Sequence, residues 1–189
     1  MDEHYFKHSL SYGGELRKKR KGRGARPLSS KEPIHLVLKG TLAQKQWSFR
    51  LPRNHQIVHA LIYKFSKLYG IRIDQKAVHF DHIHFVLRVP NRTLYKRFIR
   101  RLSGAIAVLV TDGGPVGAGR VAGGKKSLKD RGFKFFKHRP FSRVIRGWRA
   151  YQQALAYVKL NEQEAMGNIP VRDRRLKDLE PHEYCWVWS

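Results

Sequence analysis

Acidic residues are scarce in this chain of 189 residues, which carries 14 Asp+Glu against 39 Lys+Arg and a formal net charge of +25 at pH 7. A protein so short of negative charge is expected to bind a polyanion. Nucleic acid is the leading candidate, because each neutralised phosphate releases condensed counterions and so favours binding. A membrane surface is the competing polyanion.

Cysteine and long apolar runs are also lacking. Cys185 is the only cysteine, which excludes internal disulfides and a zinc site built from several thiolates. No stretch approaches the roughly 18 consecutive apolar residues of a membrane span, and the polar start from Met1 to His4 does not resemble a signal peptide. We therefore expect a soluble intracellular protein that does not enter a membrane.

The length is that of one domain with appendages. Residues 1–32 show no apolar periodicity and are predicted to form a basic arm, which either stays solvated or orders on phosphates. Residues 112–131 are predicted to form a glycine-rich basic loop, and residues 167–189 a tail. The arm's candidate DNA-binding residues are Arg17, Lys18, Lys19, Arg20, Lys21, Arg23 and Arg26.

Between the arm and the tail, strand and helix patterns alternate. Residues 33–39 have the length and composition of a buried strand, and residues 46–51 alternate, so the two segments are predicted to pair as a hairpin. Helical spacing predicts a helix that begins at an Asn54 cap and stops at Gly70, a second helix capped by Asn91, and a last helix over residues 142–164. Further candidate DNA-binding residues in this region are Arg97, Arg100, Arg101, Lys137 and Arg139.

The segment 78–87 is predicted to be one strand with two histidines on one face. Side chains alternate along a strand, so His82 and His84 share a face and stand about 7 Å apart, close enough to hold one divalent metal ion. The same rule puts His79 on the opposite face from His82, unless the strand breaks at Phe80, so His79 is not expected to be a ligand. The competing interpretation is a pair of polar residues on the wet face of a half-buried strand.

On the last predicted helix, a tyrosine and an amide lie away from the main apolar stripe. The stripe comprises Ile145, Trp148, Tyr151, Leu155 and Val158. Tyr157 lies outside it, with Asn161 one turn later on the same face. The competing interpretation is an ordinary half-buried packing tyrosine. A phenol next to a metal-polarised phosphodiester can attack phosphorus, so the residues together suggest metal-assisted phosphoryl transfer to Tyr157.

Four segments in this order resemble the HUH single-tyrosine transposases of bacteria, especially the REP-associated tyrosine transposases. They are the strand at Ile34–Leu38, the histidine-hydrophobe-histidine strand at Asp81–Leu87, the basic aromatic stretch at Phe136–Phe141, and the tyrosine motif at Ala156–Asn161. The resemblance covers about residues 33–166. It implies an α+β fold of the ferredoxin-like or RRM-like kind, with a central antiparallel sheet and packed helices.

The resemblance also implies an activity. His82 and His84 would hold Mg²⁺ or Mn²⁺, Asn161 would be the third ligand, and Tyr157 would be the nucleophile that forms a covalent 5′-phosphotyrosine on single-stranded or hairpin DNA. Many relatives have proline at the position of Phe80, a difference that does not touch the chemistry. Many also have Asn-Pro where this chain has Asn161-Glu162, and this difference leaves Gln163 or Glu164 as alternatives to Asn161 for the third ligand. The family permits a homodimer and places the protein in the bacterial cytoplasm at the nucleoid.

Two other classes compete with a DNA strand transferase. A non-catalytic nucleic-acid-binding protein would use the same basic surface and the same kind of sheet. A metal-dependent hydrolase would use the histidines and a water molecule without a covalent tyrosine. Net charge does not separate the three classes, whereas the chemical role of Tyr157 does.

Overall fold

The computed structural model describes residues 11–12, 28–111 and 134–169. Its elements, in chain order, are β1 (Ser11–Tyr12), β2 (Ile34–Lys39), a 3-10 turn (Lys45–Trp47), α1 (Pro52–Tyr69), β3 (Arg72–Val78), β4 (His82–Arg88), α2 (Arg92–Thr111), β5 (Phe141–Val144) and α3 (Trp148–Met166). The glycine-rich segment predicted at 112–131, the basic run of the predicted arm and Cys185 lie outside the described residues.

The strands form one antiparallel sheet in the order β1-β5-β2-β4-β3. From β2 to β5 the chain follows the β-α-β-β-α-β path of ferredoxin-like folds. The predicted α+β class with a central antiparallel sheet is therefore confirmed. Ser11 and Tyr12, which fall within the predicted arm, pair with β5 and add a short edge strand.

Helix α1 follows the predicted periodicity but begins earlier than expected. Its first residue is Pro52, and Asn54 is buried inside the first turn, where its side-chain amide donates to the carbonyls of Gln46 and Ser48 at 3.0 and 2.9 Å. The prediction of Asn54 as the cap is thus wrong. Gly70 ends the helix as predicted, in the left-handed conformation with φ 62°, which glycine adopts without steric cost.

The strand predicted at 46–51 is also wrong. The segment forms a 3-10 turn at Lys45–Trp47, and the buried Phe49 donates its backbone N–H to the carbonyl of Phe80 at 2.8 Å. The alternation of apolar and polar residues over 46–51 is too short to distinguish a strand from a turn that inserts one aromatic ring into the core. The predicted cap of α2 is confirmed, because Asn91 Oδ1 accepts the backbone N–H of Leu94 at 2.9 Å.

One face of the sheet carries the main core, which α1 and α2 cover. Ile83, Phe85 and Leu87 of β4 point into it and are fully buried. Burial of each such side chain contributes about 1.5–3 kcal/mol. The other face carries the alternate residues of β4 and is covered by α3 around Val86 and Val158.

Helix α3 begins six residues later than the sequence pattern suggested. Residues 141–144 pair with β2 as strand β5, and the helix starts at Trp148 after Gly147. Trp148 is 72% exposed, so its predicted place in a buried apolar stripe is wrong, and Ile145 is buried ahead of the helix. The edge of β2 offers backbone hydrogen bonds to this segment, and that tertiary pairing overrides the local helical pattern.

Within residues 28–111 and 134–169, no helix combines the length and apolar character that crossing a membrane requires.

Candidate functional site

A tight hairpin brings a third histidine to the two predicted ones. Strands β3 and β4 pair antiparallel, and the chain reverses between them, where the backbone N–H of His79 donates to the carbonyl of His82 at 2.8 Å. One ring nitrogen from each of His79, His82 and His84 lies within 4.8 Å of the others. We call these residues the histidine triad. The predicted convergence of His82 and His84 is confirmed.

The prediction that His79 lies on the opposite face is wrong. It assumed one continuous strand, whereas the segment is two strands joined by a turn. The ring of His79 stacks on that of His82 with centroids 4.5 Å apart and lies 5.8 Å from that of His84. The triad therefore offers more nitrogen donors than the sequence pattern alone predicted.

Asp81 holds the ring of His82. One carboxylate oxygen lies 2.5 Å from His82 Nδ1, and the other lies 3.6 Å from Nζ of Lys39. Partial burial acts to raise the pKa of the Asp81 carboxyl, but the hydrogen bond and charge of His82, together with Lys39, hold it below its usual value. A carboxylate that engages Nδ1 leaves Nε2 of His82 available to a metal, as is usual for ligating histidines.

His35 is a further histidine at the site, and sequence reasoning did not select it. Its Nε2 lies 3.3 Å from His84 Nδ1, and the two rings are nearly parallel with centroids 5.5 Å apart. Burial, helped by the charge of Arg143, lowers the pKa of His35 to about 4, so its ring is neutral near pH 7. The alternation of β2 put His35 on the face opposite Ile34, but only the β2–β4 register brings it to His84.

Tyr157 lies where α3 crosses this face of the sheet. Its ring makes edge-on contacts with the rings of His84 and His35, with centroids 5.6 and 5.9 Å apart. It also packs against the small apolar cluster that contains Val86 and Val158. That cluster also contains Tyr151 and Leu155 of the predicted stripe, so the prediction that Tyr157 lies outside the stripe is wrong. The predicted approach of Tyr157 to the histidines is confirmed for His84.

Asn161 is buried one turn after Tyr157. It is 2% exposed, and its Nδ2 donates to the carbonyl of Tyr157 at 2.7 Å. Within the part of the chain that the structure describes, its Oδ1 has no hydrogen-bond partner. The next residue, Glu162, accepts a hydrogen bond from the side chain of Gln75 at 2.8 Å, and Glu164 is 6% exposed. Glu162 thus contacts β3, while Asn161 and Glu164 are buried.

The predicted DNA-binding residues are spread over the protein. Arg97, Arg100 and Arg101 are exposed on α2, on the opposite side of the sheet from the histidine triad. Lys137 and Arg139 are exposed just before β5. The seven predicted residues of the arm, from Arg17 to Arg26, lie outside the described residues.

Solved structures share this fold. No protein-family profile and no curated protein matches the sequence. The chain is similar in structure to a REP-associated tyrosine transposase bound to a REP hairpin, with a TM-score of 0.53, 14% identity, and coverage of 79% of this chain and 76% of that one. The fold is similar to that of this transposase. The resemblance predicted from the motifs is thereby confirmed at the level of the fold.

A second solved structure gives a weaker match. It is a Deinococcus radiodurans protein provisionally described as a transposase, with a TM-score of 0.43, 15% identity, and coverage of 75% of this chain and 97% of that one.

Proposed function

We propose that this protein is a metal-dependent single-stranded DNA endonuclease and strand transferase that acts at or near DNA hairpins. The observation that carries the proposal is the packing of the Tyr157 ring against His84, a member of the histidine triad. A phenol thus lies next to a cluster of metal-ligating nitrogens in a chain with a net charge of +25. The transposase-like fold supports the same activity.

The donor set fits a divalent ion with an affinity for nitrogen. His79, His82 and His84 supply imidazoles, and the buried Oδ1 of Asn161 is an oxygen donor without a hydrogen-bond partner among the described residues. Mg²⁺ prefers oxygen ligands, whereas Mn²⁺ accepts imidazole more readily, so of the two expected ions Mn²⁺ fits better. When bound, the ion would supply Lewis-acid stabilisation of charge on the phosphate.

Tyr157 performs the covalent step. Its phenolic oxygen forms a bond to phosphorus and its proton passes to water. The bond from phosphorus to the 3′-oxygen of the preceding nucleotide breaks, and that oxygen takes a proton from water. The products are a 5′-phosphotyrosine and a free 3′-hydroxyl. Attack of a 3′-hydroxyl on the phosphotyrosine reverses the step and joins the strands. The reaction needs no oxidant and no nucleotide cofactor.

His35 and Asp81 orient the histidines during this step. Asp81 engages Nδ1 of His82, and the neutral ring of His35 lies beside Nδ1 of His84. Both ligands then keep Nε2 for the metal. The contact between Tyr157 and His84 forms within one chain, so a homodimer is not required to bring these two residues together.

DNA partners are proposed from charge and from the structural neighbour. The neighbouring transposase is bound to a REP hairpin, and the net charge of +25 favours nucleic acid here. The arm residues from Arg17 to Arg26 and the exposed Lys137 and Arg139 are proposed phosphate contacts. Arg97, Arg100 and Arg101 lie on the far side of the sheet and are proposed to hold a flanking part of the DNA. We also propose a cytoplasmic location at the bacterial nucleoid, because the DNA that the protein would bind lies there.

The deciding experiment traps the covalent complex. A hairpin oligonucleotide with a single-stranded flank and a 3′-label is incubated with the protein and Mn²⁺, then resolved under denaturing conditions. We expect labelled protein from the wild type, none from Tyr157→Phe and none with chelator. Tyr63→Phe, at a tyrosine 62% exposed on α1, is the matched control and should trap normally.

The same assay separates the competing classes. Cleavage retained by Tyr157→Phe would support a hydrolase that uses water. If the wild type binds the oligonucleotides but cleaves none of them with either Mg²⁺ or Mn²⁺, the protein is a non-catalytic nucleic-acid-binding protein.

A further inference from the structure

A cavity of about 230 Å³ lies beside the proposed active site, between the first turns of α1, the end of β3 and the last turns of α3. Two of its lining residues are neighbours in the sequence of residues at that site, since Val78 precedes His79 and Glu162 follows Asn161. Drug-sized ligands occupy about 300–1,000 Å³. The smaller volume suits a single flat ring system. We call it the α1–α3 cavity; the lining side chains used below are Arg50, His55, His59, Glu162 and Met166.

Two histidines one helical turn apart form one wall. The rings of His55 and His59 lie 4.3 Å apart between centroids, tilted by 39°. Burial, with the charges of His55 and Lys76, lowers the pKa of His59 to about 4. Burial, with Arg50 and Lys76, also lowers the pKa of His55. Both rings are therefore largely neutral near pH 7.

The surrounding charge decides which ligand suits these rings. Arg50 and Lys76 are cationic neighbours of the pair, and they disfavour a metal ion there. The same charges favour a ligand attached to phosphates. Flat neutral rings stack on nucleobases, and this contact strengthens binding of single-stranded DNA. Arg50 and Met166 are exposed at the rim, so a strand can reach the cavity from solvent.

Glu162 sets a chemical preference within the cavity. The amide of Gln75 donates to its Oε2 at 2.8 Å, which fixes the carboxylate in place. A carboxylate only accepts hydrogen bonds. Cytosine, adenine and guanine offer an exocyclic amino group to such an acceptor. Thymine and uracil flank their one N–H with two carbonyl oxygens, which repel a carboxylate.

We propose that the α1–α3 cavity binds one unpaired nucleobase that carries an exocyclic amino group, from the DNA strand held at the histidine triad. The inference rests on the proposed function, because it names part of the substrate of that same site. His55 and His59 stack on the base, Glu162 accepts from its amino group, and Arg50 contacts an adjacent phosphate. The cavity thereby selects the nucleotide next to the reacting phosphate.

The test compares labelled single strands of equal length made of deoxycytidine, of deoxyuridine and of an abasic sugar-phosphate chain. Binding to the full-length protein is measured by fluorescence anisotropy without metal, at about 0.3 M salt to weaken the phosphate contribution. We expect the wild type to bind the cytidine strand about tenfold more tightly than the uridine strand. Glu162→Gln should reduce that ratio to about one, because an amide can also donate.

The stacking wall is tested with the double variant His55→Ala, His59→Ala. It should bind the cytidine strand about tenfold less tightly while binding the abasic strand as the wild type does. Tyr63→Ala removes an exposed aromatic ring from the same helix outside the cavity and should change neither affinity. Circular dichroism checks the fold of each variant, and Glu162→Gln, which preserves volume, keeps the test valid if the double variant unfolds.

Three results would overturn the inference. The first is equal affinity of the wild type for the cytidine and uridine strands. The second is a ratio of these two affinities that stays unchanged in Glu162→Gln. The third is that the double variant loses as much affinity for the abasic strand as for the cytidine strand, which would indicate a phosphate site. Covalent trapping on Tyr157 is scored separately. If DNA is trapped on Tyr157 but the protein does not prefer the cytidine strand, only the cavity assignment is overturned. If the protein prefers the cytidine strand but no DNA is trapped, only the proposed function is overturned.

Discussion

The rings of Tyr157 and His84 meet edge-on, with centroids 5.6 Å apart, although one lies on the last described helix and the other in the middle of the sheet. The contact exists because α3 packs on the sheet face that carries the histidines, with Val158 and Val86 in the same small cluster. A residue with nucleophilic potential is thus fixed against a cluster of metal-ligating nitrogens.

His79→Ala should weaken Mn²⁺ binding about 10- to 100-fold, a loss comparable to that of His82→Ala, because the nitrogen of His79 lies in the same cluster. Isothermal titration calorimetry on the three proteins measures the affinity. His55→Ala, at a histidine outside the triad, serves as the control and should bind Mn²⁺ as the wild type does. Unchanged affinity in His79→Ala would remove His79 from the ligand set.

Asp81→Asn should weaken Mn²⁺ binding by about tenfold without unfolding the protein, because the amide keeps the size of Asp81 but no longer holds Nδ1 of His82 through a carboxylate. Metal affinity is measured by calorimetry and the fold by circular dichroism. Lys39→Gln, which removes the other charge beside Asp81 at an exposed position, should have a smaller effect. If Lys39→Gln raises the Mn²⁺ affinity by as much as Asp81→Asn lowers it, the carboxylate acts only through the local charge.

Gly40→Ala should destabilise the protein by about 1–3 kcal/mol, measured as the free energy of unfolding in urea. A methyl group at Gly40 would lie 2.9 Å from the ring of Phe135 and 3.0 Å from that of Phe49, closer than packed atoms tolerate. Gly104→Ala is the matched control, because within residues 28–111 and 134–169 no other side chain or segment comes within 4 Å of the added atom on α2. That variant should be more stable by about 0.5–1 kcal/mol, since alanine favours the helix.

The free energy of unfolding should fall as the pH drops from 6.5 toward 4. The pKa of His59 is about 4 in the folded protein against 6.5 unfolded, so over this range the unfolded chain binds the proton and the folded protein does not. The stabilisation is complete above pH 6.5 and lost through this window. His59→Gln should show a shallower dependence on pH in urea titrations at each pH. A slope identical to that of the wild type would contradict the assignment.

The sequence by itself determined two of the helices and half of the site, and the resemblance of its motifs implied the fold class. Helical periodicity identified α1 and α2, and Gly70 and Asn91 marked a stop and a cap that the structure confirms. The period of two along β4 placed His82 and His84 together. These features depend on residues close in the chain, so local geometry is sufficient to predict them.

Only the tertiary structure decided the rest. A turn between β3 and β4 added His79 to the triad, and the register of β2 on β4 brought His35 to His84. Pairing with β2 made a strand of residues 141–144, which the local pattern had assigned to a helix. In each case the deciding energy comes from hydrogen bonds and packing between segments far apart in the chain, and no local pattern carries that information.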